Sequence, residues 1–160
     1  IRSLNLNAVA TCATVGSLDL AASLALVSPD IGAATGSSLT LTGAIKYLVP
    51  IASKTIAYAV LAADSGTHFD NIGAGGSVTF TLPPAAAGLN YCFLASAAQN
   101  VVVAAQAGER IAIGAGNSTS GGNVTSAAAF RQGFPSVCLE AHAASQWVAP
   151  TTPNGQWSIN

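Results

Sequence analysis

Charged residues are scarce in this chain. Asp, Glu, Lys and Arg make up 7% of its 160 residues, where soluble domains carry roughly a quarter. A free monomer so poor in charge has little to keep it apart from its neighbours. Two explanations follow: a membrane protein, or a subunit whose surface is covered by partners. Long apolar runs are lacking too. The longest, Ile56-Ala-Tyr-Ala-Val-Leu-Ala-Ala63, has eight residues, whereas a spanning helix needs about 20. A transmembrane barrel would want aromatic girdles, and the chain has two Trp, three Tyr and five Phe in all. No membrane is therefore expected, and partners account for the pale surface.

Basic clusters are absent as well. Arg2, Lys46, Lys54, Arg110 and Arg131 are scattered and the net charge is −1, so no nucleic-acid partner is expected, because phosphate binding needs a concentrated patch. Cysteine is sparse and odd in number: Cys12, Cys92 and Cys138 show no metal-ligand spacing. Cys92 and Cys138 lie in apolar, strand-like runs, where free thiols buried as small hydrophobes are expected, with a disulfide as the alternative.

What is present divides the chain in two. Residues 1–44 alternate small polar and apolar positions and repeat a Leu-x-Leu doublet: Leu4 and Leu6, Leu18 and Leu20, Leu24 and Leu26, Leu39 and Leu41. Period-two alternation puts both leucines of a doublet on one face of a strand. Each such strand buries only a narrow stripe, so this N-terminal arm is expected to be ordered by contacts with other subunits. Residues 45–160 read as a self-sufficient β-sandwich domain. Strands are expected at 55–61, 77–82, 90–95, 100–105, 110–113, 136–141, 146–149 and 156–159, each closed by Gly, Pro, Asn or Ser. In Ser77-Val-Thr-Phe-Thr-Leu82 the residues Val78, Phe80 and Leu82 share one face. The expected class is all-β, an antiparallel β-sandwich or jelly roll, with single helical turns at most near 85–88 and 126–131.

The run from Ala63 to Phe93 carries a resemblance. Its Asp64-Ser-Gly opening, Val78-Thr-Phe-Thr-Leu-Pro83 strand, Ala-rich Gly88-Leu89 turn and Tyr91-Cys-Phe93 strand resemble a module of tailed-bacteriophage virion proteins. Gln146-Trp-Val-Ala149 and Gly155-Gln-Trp-Ser158 match the paired Trp-containing strands on which such modules close. The resemblance implies a capsid decoration (cement) protein, a homotrimer bound to the major capsid protein or other virion proteins. It also implies an outer-surface position on the phage particle and assembly in the host bacterial cytoplasm. A head or tail fibre module binding a host receptor or glycan is the alternative it leaves open.

Signs of chemistry are weak. Asp64-Ser65-Gly66 matches an aspartic-protease signature, but that mechanism needs two carboxylates sharing a proton, and a turn explains the three residues. Asp64, Ser65, His68 and Asp70 fall within seven residues, whereas a triad is assembled from separate elements. Glu140 and His142 share a strand face and would supply two metal ligands, too few for a site without others. Glycoside hydrolysis needs paired carboxylates at a fixed separation, and the six acids are scattered. Asn117-Ser-Thr and Asn123-Val-Thr match glycosylation sequons, and 114–122 reads as a surface loop without the Lys-Ser/Thr ending of a phosphate loop. No enzyme activity, cofactor or metal is expected. The candidate interface comprises the eight arm leucines with Phe130, Arg131 and Phe134, because aromatics and Arg favour interface centres. Trp147 and Trp157 are expected in the core.

Overall fold

The structure, a computed structural model, describes residues 48–127 and 133–160. The expected arm at 1–44 lies outside the described residues. Among these, 43% are in strand and 3% in helix, so the all-β class holds. The strands are β1 (Ile51–Ser53), β2 (Tyr58–Ala59), β3 (His68–Asp70), β4 (Val78–Thr81), β5 (Asn90–Leu94) and β6 (Val101–Ala104). They continue with β7 (Arg110–Ile113), β8 (Gly116–Asn117), β9 (Asn123–Ser126), β10 (Ser136–Ala143), β11 (Gln146–Val148) and β12 (Trp157–Ile159). One sheet has the order β1-β3-β5-β10-β11-β7-β8 and the other β12-β9-β6-β4-β2. All eight expected strands overlap an observed one, and β1, β3, β8 and β9 are additional.

The direction of pairing differs from the antiparallel expectation. Successive strands alternate between the sheets, so β1, β3 and β5 pair in parallel in one, and β2, β4 and β6 in the other. Tyr58 pairs with Phe80, 22 residues on, and Phe69 with Phe93, 24 residues on. The first half is thus a wound coil of two strands per turn. The physical reason lies in the connections. A hairpin needs neighbours in the same sheet joined by a tight turn, but the 71–77 and 82–89 segments carry the chain across to the opposite sheet. Antiparallel pairing enters with the β7–β8 hairpin and continues as β9 returns beside β6 and β10 beside β5.

Alternation then defines the interior. Phe69, Phe80, Tyr91, Phe93, Val101, Val103, Ile111, Val124, Leu139 and Trp147 are all at most 1% exposed. Ring centroids lie 5.5 Å apart for Phe69–Phe80, 5.8 Å for Phe69–Phe93, 5.2 Å for Phe80–Phe93 and 5.7 Å for Tyr91–Trp147. Trp147 is in the core as expected; Trp157 is only half-buried beside it.

The same alternation corrects the expectation for two cysteines. With Tyr91 and Phe93 turned inward, Cys92 points outward, and Cys138 stands directly opposite it in the β5–β10 register. The two form a disulfide on the half-buried outer face instead of buried free thiols. The flanking Ala95–Pro135 backbone bond fixes the ladder phase that makes Cys92–Cys138 a close, non-hydrogen-bonded pair, the position where two sulfurs can meet.

Buried polar side chains fasten the connections. The Glu109 carboxylate, in the turn before β7, accepts the Ala85 N–H at 2.7 Å and the Trp147 indole N–H at 3.1 Å. Asn71, fully buried, accepts the N–H groups of Ser96 and Ala97 and donates to the Gln99 carbonyl. Glu109→Gln replaces one acceptor with a donor facing a buried N–H. We expect a loss of about 1–3 kcal/mol of stability, read by urea denaturation of the full chain; an unchanged midpoint would show that the carboxylate carries no such role.

Candidate interaction surfaces

The residues that suggested chemistry are occupied in structure. Asp64 ends a 3-10 turn at Ala62–Asp64. Its Oδ2 accepts the Tyr58 hydroxyl at 3.0 Å and the Leu61 N–H at 2.9 Å. Ser65 Oγ accepts the Asn90 N–H at 3.2 Å, and Gly66 takes a φ of 87°, a conformation that glycine adopts without the steric cost of a Cβ. Asp-Ser-Gly is therefore a turn, as the sequence reading expected. His68 lies exposed on β3, and the Asp70 carboxylate accepts the Ile72 N–H at 3.0 Å. Glu140 Oε2 and His142 Nε2 lie 3.5 Å apart on an exposed face, a geometry that contributes little in water. Among the described residues no group of three or more His, Cys, Asp or Glu converges on one point.

Two tyrosines anchor the Leu61–Asp64 turn. Tyr58 donates to Asp64, and its ring carries the Lys54 ammonium 3.8 Å from the centroid. Tyr91 donates to the Leu61 carbonyl at 3.0 Å. The bond to the Asp64 carboxylate, aided by burial and by that charge, holds the Tyr58 phenol above its ordinary value. Burial, with the Asp64 charge behind it, pushes Tyr91 up to about 12.

The outer face of the five-stranded sheet is the feature that sets this domain apart. Thr79, Thr81, Val102, Ala104, Asn123 and Thr125 form its central rows, by register and alternation. No Asp, Glu, Lys, Arg or His occurs in β2, β4, β6, β9 or β12. The described ionisable residues of those types belong to the other sheet or to connections: Lys54, Asp64, His68, Asp70, Glu109, Arg110, Glu140 and His142. Aliphatic side chains are exposed elsewhere, at Leu48, Val49, Ile51, Ile56, Leu61 and Ile72.

The expected interface is brought together only in small part. The eight arm leucines, Phe130 and Arg131 lie outside the described residues. Phe134 is half-exposed ahead of β10, its carbonyl accepting the Asn154 side-chain N–H at 2.8 Å. Ile56 and Leu61 went unrecognised because they fall in the strand expected at 55–61, and Leu48, Val49 and Ile51 because no element was expected there. The buried Glu109 gave no sequence signal, since one acid in a turn reads as surface. No protein-family model and no curated protein matches this chain.

The two tyrosines make a pH test. A phenol whose folded-state value lies above the ordinary 10.0 contributes stability that is fully present below pH 10. That contribution is lost as pH rises through the folded value. We expect the unfolding free energy to hold up to about pH 10 and fall towards pH 12, with tyrosinate absorbance lagging until the protein opens. Full ionisation near pH 10 with no loss of stability would contradict the Tyr58 and Tyr91 anchors.

Proposed function

We propose that this chain is a structural protein of a tailed-bacteriophage virion, a capsid decoration protein that stiffens the head through subunit contacts. The uncharged outer face of the five-stranded sheet carries the reading: an array of Thr, Val, Ala and Asn suits close packing against another protein and sets no ionisable side chain beside its hydroxyls. The mechanism is burial of area. An interface of about 1,600 Å² repeated at several contacts gives avidity without a strong single site. The partners are other copies of the chain, as a homotrimer, and the major capsid protein or other virion proteins. The Cys92–Cys138 disulfide supports a working place on the outer surface of the released particle, because such bonds persist in oxidising surroundings.

A head or tail fibre module that binds a host receptor or glycan is the second reading. The parallel winding of β1 to β6 favours it, since stacked coils extend readily along one axis. Copy number separates the two. Quantitative mass spectrometry of purified particles should find hundreds of copies per virion; a few to a few dozen would replace decoration with the fibre.

The arm provides another test. Residues 1–44 carry Arg2, Asp19 and Asp30 and no aromatic. Strands as thin as those expected from its Leu-x-Leu doublets would not offset an ordering cost of about 1–2 kcal/mol per residue by themselves. Deleting residues 1–44 should leave a folded β domain that no longer binds the particle. Binding equal to that of the full chain would remove the arm from the contact.

A further inference from the structure

We propose that the edge of the domain formed by β1 and β2 is an interface between copies of this chain. Six of its exposed aliphatics collect there. Leu48, Val49 and Ile51 lead into and occupy β1, Ile56 lies in the β1–β2 connection, and Leu61 follows β2. Ile72 belongs to the turn after β3, which lies against that connection: a Cβ at Gly73 would come 3.6 Å from Thr55 Cγ2. The two strands share one side of the sandwich, since Tyr58 of β2 packs on Phe69 of β3, the neighbour of β1, at 5.6 Å. The six residues are 40–87% exposed, and so many large aliphatics left open along one edge are what a protein–protein contact uses, where scattered single ones need no explanation.

Both strands are free sheet edges among the described residues. Pro50 accepts from His68 and Lys54 donates to Asp70, so ladder alternation turns the amides of Ile51 and Ser53 away from β3. Edge strands are commonly shielded by lysine or other charges. The one lysine here, Lys54, folds onto the Tyr58 ring instead. The opposite side of the sandwich is closed. Thr119 N–H donates to the Asn160 carbonyl, and a Cβ at Gly116 of β8 would come 2.6 Å from Ile159 Cδ1 of β12, so glycine there lets β8 and β12 approach. Among the described residues no backbone bond joins β1 to β2 in the same way.

A second copy is the occupant that fits. From Leu48 to Ala63 the only charge is Lys54, whose ammonium lies over the Tyr58 ring, so two copies meet without appreciable like-charge repulsion. The exposed Ile51 and Ser53 amides can pair with an equally short edge.

Sedimentation velocity of the full chain over a dilution series tests this without any particle; a monomer would also remove the homotrimer from the virion reading, whereas binding to the particle is measured separately. The wild-type protein should sediment as a multiple of 15.7 kDa. Ile51→Lys and Ile56→Lys should each raise the dissociation constant at least about 30-fold, as substitutions at an interface centre do. Asn117→Lys, on the opposite edge, should not. Circular dichroism identifies folded variants, and either lysine variant suffices if the other misfolds. A full chain that stays at 15.7 kDa at about 100 µM, or lysine variants that self-associate like wild type, would overturn the proposal.

Discussion

The ring stack between the sheets is the interaction on which the rest of this domain depends. Most strands have two to five residues, too short to bury much apolar surface each. Phe69, Phe80 and Phe93 concentrate that burial where β3, β4 and β5 face one another, and Tyr91 passes it on to Trp147. Removing a buried phenylalanine from such a centre costs about 3–5 kcal/mol, a large share of a domain's stability. Tyr58 joins the stack at its edge, 5.6 Å from Phe69, and so ties the Asp64 turn to the core.

Short strands also leave much of the backbone outside the ladders. Side chains take up that deficit. Ser118 Oγ accepts from Ile111 and Ser126 Oγ from Val101, both at 2.9 Å. Asn71 does the same for the 96–99 loop and Glu109 for Ala85. Among the described residues no buried side-chain N or O lacks a partner, the condition under which buried polar groups stabilise a core. The uncharged surface and the polar interior are therefore compatible. Polar groups are retained where they satisfy backbone, and the sheet face between solvent and neighbour carries none that ionise.

Much of the fold was legible from alternation alone, because Val78-Thr-Phe-Thr and Asn90-Tyr-Cys-Phe-Leu cannot sort their side chains any other way. Connection geometry was not legible. A connection of seven or eight residues reads the same whether it returns to its own sheet or crosses to the opposite one, so parallel winding was taken for antiparallel. A cue to winding did exist: Tyr58, Phe69, Phe80 and Tyr91 recur every 11 residues, the step from one inward ring to the next across the two sheets. His68-Phe-Asp70 was missed as a strand because the adjacent Asp-Ser-Gly turn dominates its neighbourhood. The Cys92–Cys138 pairing needed the β5–β10 register, which links residues 46 apart and is invisible locally.

The candidate surface was harder to read, and for a different reason. Apolar residues in strands predict burial, but an edge strand has one neighbour where an interior strand has two. Ile51 sits on β1, whose partner β3 covers one flank only, while Val78, on interior β4, is fully enclosed. Both are β-branched and aliphatic, and both belong to short strands. Face and position in the sheet together decide which becomes core and which becomes surface: Ile51 lies beside outward-facing His68 on an edge, and Val78 faces the interior between two neighbours. That position is set by the winding, since the first coil turn has no preceding described turn to cover it. The last turn is covered by β9 and β10 returning antiparallel. A first turn that no described strand covers, with Leu48, Ile51, Ile56 and Leu61 on it, thus follows from parallel winding in a chain with few charges to place there.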